Sequence, residues 1–255
     1  MIKWNSYKKG MVVIFTILPL FIFSQKSKNS LEGIRLNFHH FVGKDSLVLD
    51  DSIYFNSLNQ PFTITKFNYY IGQIRLVKTD GKQVVINNYF LISEDEGKAN
   101  SKKIELKKIP SGEYSSIEFI LGVDSLHNCS GAQSGALDPI NAMFWTWNTG
   151  YIFMKLEGKS TLSNAVGNNL EYHIGGYKSP SNCIRTITLK FDQPLIIEKK
   201  TLTEINIKTD VSEILKSPTT IDFSKMPTVN TLLNATVIAD NYTDVFQLID
   251  IKIVK

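Results

Sequence analysis

Apolar and polar residues that alternate one by one, broken every ten residues or so by turn-forming sequence, constrain this chain more than anything else in it. "GIRLNFHHFVG" (33–43) sets Ile34, Leu36, Phe38, His40 and Val42 on one side of an extended segment and Arg35, Asn37, His39 and Phe41 on the other. That is the period of a half-buried strand. Similar β-rich runs recur at "FTITKFNYYIGQIRLVKT", "KQVVINNYFLIS", "KKIELKKI", "SSIEFILGV", "YIFMKLEG", "LEYHIGG", "CIRTITLKF" and "EINIKTD". "TDGK" (79–82) and "IPSGEY" (109–114) read as turns between them. The pattern predicts an all-β fold, mainly a β-sandwich. Helix is confined to one or two short C-terminal stretches. In "DVSEILKS" (210–217) Asp210 followed by Glu213 fits a capping box. "FSKMPTVNTLLNATVIADNY" (223–242) is a second candidate, although its "NATVIAD" reads equally well as strand, and a turn is expected around "TDVFQLID" (243–250).

The N-terminus speaks to compartment. Lys3, Lys8 and Lys9 precede an apolar stretch, Met11–Phe23, too short to span a bilayer comfortably and followed by polar sequence. Residues 1–24 therefore read as a secretory signal peptide, 25–32 as a flexible lead-in, and 33–255 as a single β-sandwich domain with no linker or repeat. The product is exported, to the periplasm or cell surface, with no stable membrane insertion after cleavage. Residues 1–24 carry three lysines and no acids, so their removal lowers the formal net charge from +4 to +1. A nearly neutral chain gives no electrostatic reason to expect a nucleic-acid partner. The only two cysteines, Cys129 and Cys183, suggest one disulfide in an oxidising compartment. It would close a loop of about fifty residues and stabilise the fold by roughly 3–4 kcal/mol. Copper-ligating thiols are the alternative.

Chemistry-bearing motifs are scarce. The phosphate-loop, dinucleotide, zincin and nucleophile-elbow patterns are absent, so no enzyme is predicted. Of the four histidines, His39, His40, His127 and His173, none is spaced against another as a local zinc motif. A hydrogen-bonded structural histidine is the plain reading of each. His40 shares its face with Leu36, Phe38 and Val42 and should point inward, and His173 precedes two glycines in "EYHIGGY". An inward imidazole is costly unless both ring nitrogens are engaged. A metal would engage one of them, and a histidine pair in apolar surroundings suits Cu(I). The aromatic run "MFWTWNTGYIF" (143–153) is either core or a wall beside such a site.

Taken as a set, "LNFHHFVGKDSLVLD", "YYIGQIRLVKTDGK", "IPSGEYSSIEFILGVDSLHN", "GALDPINAMFWTWNTGYIFMKLEG" and "YHIGGY" resemble the copper-binding MbnP-like family of exported proteins. The resemblance runs from about residue 34 to 191. It implies a β-sandwich-like domain and non-catalytic copper binding, Cu(I) favoured, beside a tryptophan that in some relatives is oxidised to kynurenine by a dihaem partner enzyme. By position it implies His40 and His173 as ligands, His39 and His127 as weaker candidates, and Trp145 or Trp147 as the metal-adjacent or modified residue. A cell-envelope interaction module that keeps the scaffold without a metal is the competing expectation.

Overall fold

The computed structural model describes Met1 and residues 33–94, 100–145 and 150–254. The chain divides into two compact units, Met1–Ser30 and Leu31–Lys255. The expected signal peptide and lead-in lie outside the described residues, apart from Met1. No helix among the described residues is long and apolar enough to cross a membrane.

The strands are β1 (Gly33–Val42), β2 (Asp45–Ser46), β3 (Tyr54–Phe55), β4 (Pro61–Lys78), β5 (Gln83–Ser93), β6 (Lys103–Leu106), β7 (Gly112–Leu121), β8 (Phe144–Trp145), β9 (Gly150–Tyr151), β10 (Met154–Lys159), β11 (Asn169–Ile174), β12 (Arg185–Ile197), β13 (Leu202–Asp210), β14 (Thr228–Val229) and β15 (Phe246–Val254). One sheet runs β15-β13-β1-β2, with β6 also on β1; the larger runs β12-β7-β4-β10-β11-β14, with β3 and β5 also on β4. The mainly β expectation is met.

Alternation on β1 explains how the sheets face each other. Ile34, Leu36, Phe38, His40 and Val42 are all buried. On the other face Arg35 donates to Glu204 and Glu105, while Asn37 donates to Asn206. Phe38 reaches across to the larger sheet, edge-on to Tyr69 of β4 (6.2 Å) and Phe119 of β7 (6.4 Å), and also meets Phe246 of β15. Such ring pairs contribute about 0.5–1.5 kcal/mol each beyond the area they bury.

The helices are shorter than the sequence suggests. Asp210 does cap α2 (Val211–Ile214), accepting from the Ser212 amide, but Glu213 takes Lys216 instead of returning to the cap. Only Ala235–Asn241 of the 223–242 candidate is α-helix; residues before it include the β14 bridge. Around 243–250 a 3-10 turn gives way to β15. An unexpected short helix, α1 (Ser125–Cys129), follows β7.

The inner face also carries one polar cluster. His40 is 4% exposed. Its Nδ1 lies 2.7 Å from Glu94 Oε2, and its Nε2 lies 3.0 Å from the Tyr69 hydroxyl. A carboxylate only accepts, so Nδ1–H donates to Glu94, Nε2 accepts from Tyr69, and Tyr69 accepts from the Thr209 hydroxyl at 3.2 Å. Lys102 donates to the other Glu94 oxygen. Every group in the chain is satisfied, as burial demands.

Two predictions follow from this interior. Phe38→Ala should cost about 3–5 kcal/mol, read from chemical denaturation, because its cavity opens onto both sheets. Burial holds the His40 imidazole below its usual value of 6.5 despite Glu94. Burial alone would raise Glu94, but the His40 and Lys102 bonds outweigh it and hold the carboxyl below 4.5. In both cases the unfolded chain binds the proton more readily, so stability should fall as pH drops, first below 6.5 and then below 4.5. His40→Gln should abolish the upper limb and shrink the lower one, which then rests on the Lys102 bond alone, in urea unfolding measured across pH.

Candidate functional site

The larger sheet has a seam. β4 pairs Tyr69 with Met154 of β10 and Ile71 with Leu121 of β7, while β5 takes both residues on the opposite edge. β7 therefore ends where β10 begins, along one edge of β4. Tyr70 closes the join: its amide donates to the Phe153 carbonyl and its carbonyl accepts from the Gly122 amide. The chain leaves the sheet at Gly122 and returns to it at Phe153.

Tyrosines tie that excursion down. Tyr70 stands edge-on to Tyr151 (5.8 Å) and donates to the Ala136 carbonyl, while Tyr151 donates to the Leu137 carbonyl. Asn128 donates to the Val123 and Asp124 carbonyls and accepts the Tyr151 amide. Trp145 is buried against Gly175, where a Cβ would come within 2.7 Å of its ring. Lys155, on the outer face of β10, donates to the Ala142 carbonyl, and burial lowers its ammonium's pKa.

At the start of the excursion lies a cluster centred on Asp124. Its Oδ1 accepts both the backbone amide and Nδ1 of His127, each at 2.9 Å. Its Oδ2 accepts from Gln73 (2.7 Å) and the Tyr89 hydroxyl (2.8 Å). Burial works to raise this carboxyl, but the His127 and Tyr89 bonds outweigh it and hold it down at about 2. Because the carboxylate accepts from Nδ1–H, the neutral His127 ring presents its lone pair at Nε2, which has no partner among the described residues. The Tyr89 ring packs against the imidazole at 4.7 Å. Tyr89 can lie there because Gly72 has no side chain; a Cβ would sit 2.3 Å from its ring. The His127 side chain remains 31% exposed.

The expected ligands are not brought together. Tyr69, Met154 and Ile174 stand side by side on the inner face, whereas Asn68, Lys155 and His173 form the next row, on the outer face. His40 packs on Phe67 and Tyr69, inside. His173 is outside, its Nε2 bonded to Glu157, whose carboxyl that bond holds low. The sheet itself separates the two histidines. His39 is exposed on the other sheet with Nε2 on Asn206. Trp147 lies outside the described residues.

The expected Cys129–Cys183 disulfide is also corrected, since both are free thiols. Cys129 is exposed and donates to the Tyr177 hydroxyl, whereas Cys183 is buried with its sulfur towards the Ser181 carbonyl. Their sulfurs take different partners, and burial pushes the Cys183 thiol up to about 12.

Among the described residues no three His, Cys, Asp or Glu side chains converge as a metal-binding group. Two of their imidazoles are oriented by a carboxylate and keep a ring nitrogen without a partner among those residues, His127 on Asp124 and His173 on Glu157; His127 is the more exposed, 31% against 19% of its side chain. Sequence reading ranked His127 low and missed Asp124, Gln73 and Tyr89. A local signal was present, because Asp124 caps α1 three residues before His127.

No curated protein matches the chain. Among solved structures, MbnP from Methylosinus trichosporium is similar with a TM-score of 0.48 at 13% identity, over 87% of this chain and 98% of that one. The model of the MbnP family matches residues 32–232, which contain the seam, the Asp124 cluster and both sides of the Trp145 packing. On that match, the chain belongs to the MbnP family.

Proposed function

We propose that this is an exported, non-catalytic protein that handles copper as cargo, with His127 as its imidazole donor. The observation that carries the reading is the 2.9 Å bond between Asp124 and His127 Nδ1. A carboxylate on one ring nitrogen fixes the tautomer, orients the ring and raises the basicity of the other nitrogen, as behind many metal-bound histidines. The edge of Tyr89 limits ring rotation, and partial exposure leaves Nε2 within reach of an incoming ion. Cu(I) is soft, accepts imidazole and tolerates few ligands. One imidazole holds it loosely, so the second donor belongs to whatever delivers or receives the ion. This suits exchange better than storage. His40 is excluded as a ligand while its nitrogens serve Glu94 and Tyr69, and its role is structural.

The test is an anaerobic Cu(I) titration of the mature protein against a chromophoric competitor, with imidazole nitrogen NMR as a second readout. We expect copper to perturb His127 Nε2. His127→Ala should abolish binding, Asp124→Asn should weaken it about 10–100-fold, and His40→Gln and His173→Ala should leave it unchanged. Binding that survives His127→Ala but not His173→Ala would sink the assignment. No binding by any form would favour the metal-free envelope module.

A further inference from the structure

A trough of about 1180 Å³ lies over the outer face of β4. The Asp50–Asp51 turn and residues 100–103 border it on some sides, and the turns of 135–141 on another. Several of its polar groups keep bonding capacity. Elsewhere Asn56, Asn128 and Asn241 each donate and accept, while Asn37, Gln73 and Gln133 only donate. In the trough Asn68 accepts from the Ser93 hydroxyl through Oδ1, but its Nδ2 has no partner among the described residues. Asn141 spends only its amide nitrogen, on the Gly135 and Ala136 carbonyls. The Ser101 hydroxyl is buried and unbonded. Tyr89 adds an aromatic surface, and Ile140, 86% exposed, an apolar one.

Two features narrow the ligand class. Asn68 already pairs with Ser93 on one edge of β4 and Lys155 on the other, so an incoming peptide finds no open backbone edge there to extend. Recognition has to run through side chains standing off a sheet face. Few of the charges are free. Lys66 reaches Glu157 at 3.8 Å and Glu94 is taken by His40 and Lys102, which leaves Asp50 and Asp51 against Lys103. The two carboxylates disfavour an acidic ligand, and amides and carboxylates beside an aromatic ring match a ligand dense in hydroxyl groups. We propose that this trough binds a neutral oligosaccharide, with Asn68 and Asp51 among its hydrogen-bonding groups. The trough shares Tyr89 with the His127 cluster, whereas Asn68 and Asp51 lie outside that cluster.

The experiment is calorimetry and saturation-transfer NMR on the mature protein with maltohexaose, cellohexaose, laminarihexaose and mannohexaose, and polygalacturonate as an acidic control. At least one neutral hexasaccharide should bind saturably. Asn68→Ala and Asp51→Ala should each weaken it about tenfold or more, and His39→Ala, on the other sheet, should leave it unchanged. Asp51 lies in an exposed turn, so its variant remains informative if Asn68→Ala fails to fold. Saturable binding to none of the four, binding indifferent to Asn68 and Asp51, or binding to polygalacturonate alone would overturn the proposal.

Discussion

A strand has two hydrogen-bonding edges, and β4 gives one of them to two different strands. β7 uses the stretch from Ile71 onward and β10 the stretch up to Tyr69, with Tyr70 bonded to the residues at both ends. Backbone groups at such a join cannot be left unpaired without cost, which fixes where the chain must depart and where it must return. The excursion from Gly122 to Phe153 thus has both ends anchored within one residue of each other in register. Its interior is then secured by hydroxyls and amides, Tyr70, Tyr151 and Asn128, which bond backbone carbonyls that no strand supplies.

The same backbone geometry decides which side chains can cooperate. Successive residues on a strand point to opposite faces, so no modest shift of a loop brings His173 to the face occupied by His40. Between them runs the layer of Tyr69, Met154 and Ile174, each at most 1% exposed. The outer face instead collects Asn68, Lys66, Lys155, Glu157 and His173, and it is there that the excursion folds back over the sheet.

Much of this was legible in the sequence, and some was overlooked though legible. Alternation in 33–43 correctly turned His40 inward. Applied to "LEYHI", it would have put Leu170, Tyr172 and Ile174 inside and His173 outside, as found. The Asp124–His127 contact spans three residues, within reach of local reasoning. By contrast, Glu94 lies 54 residues from His40 and Gln73 lies 51 from Asp124; only strand order brings such pairs together. The helix expected over 223–242 shrank because Pro227 and the positive φ at Asn234 break the backbone ahead of Ala235.

The histidines show why residue type alone could not identify the site. His40 and His127 carry the same device, a carboxylate accepting from Nδ1, and both are thereby set as the tautomer with a lone pair at Nε2. What meets that lone pair differs. At His40 it is the Tyr69 hydroxyl, within a closed chain of bonds that reaches Thr209, so the device stabilises the interior. At His127 no described residue meets it, and on a side chain 31% exposed the same tautomer becomes an available donor. Depth in the fold, set by whether the residue lies on a strand between the sheets or in the excursion beside them, turns one chemical arrangement into two roles.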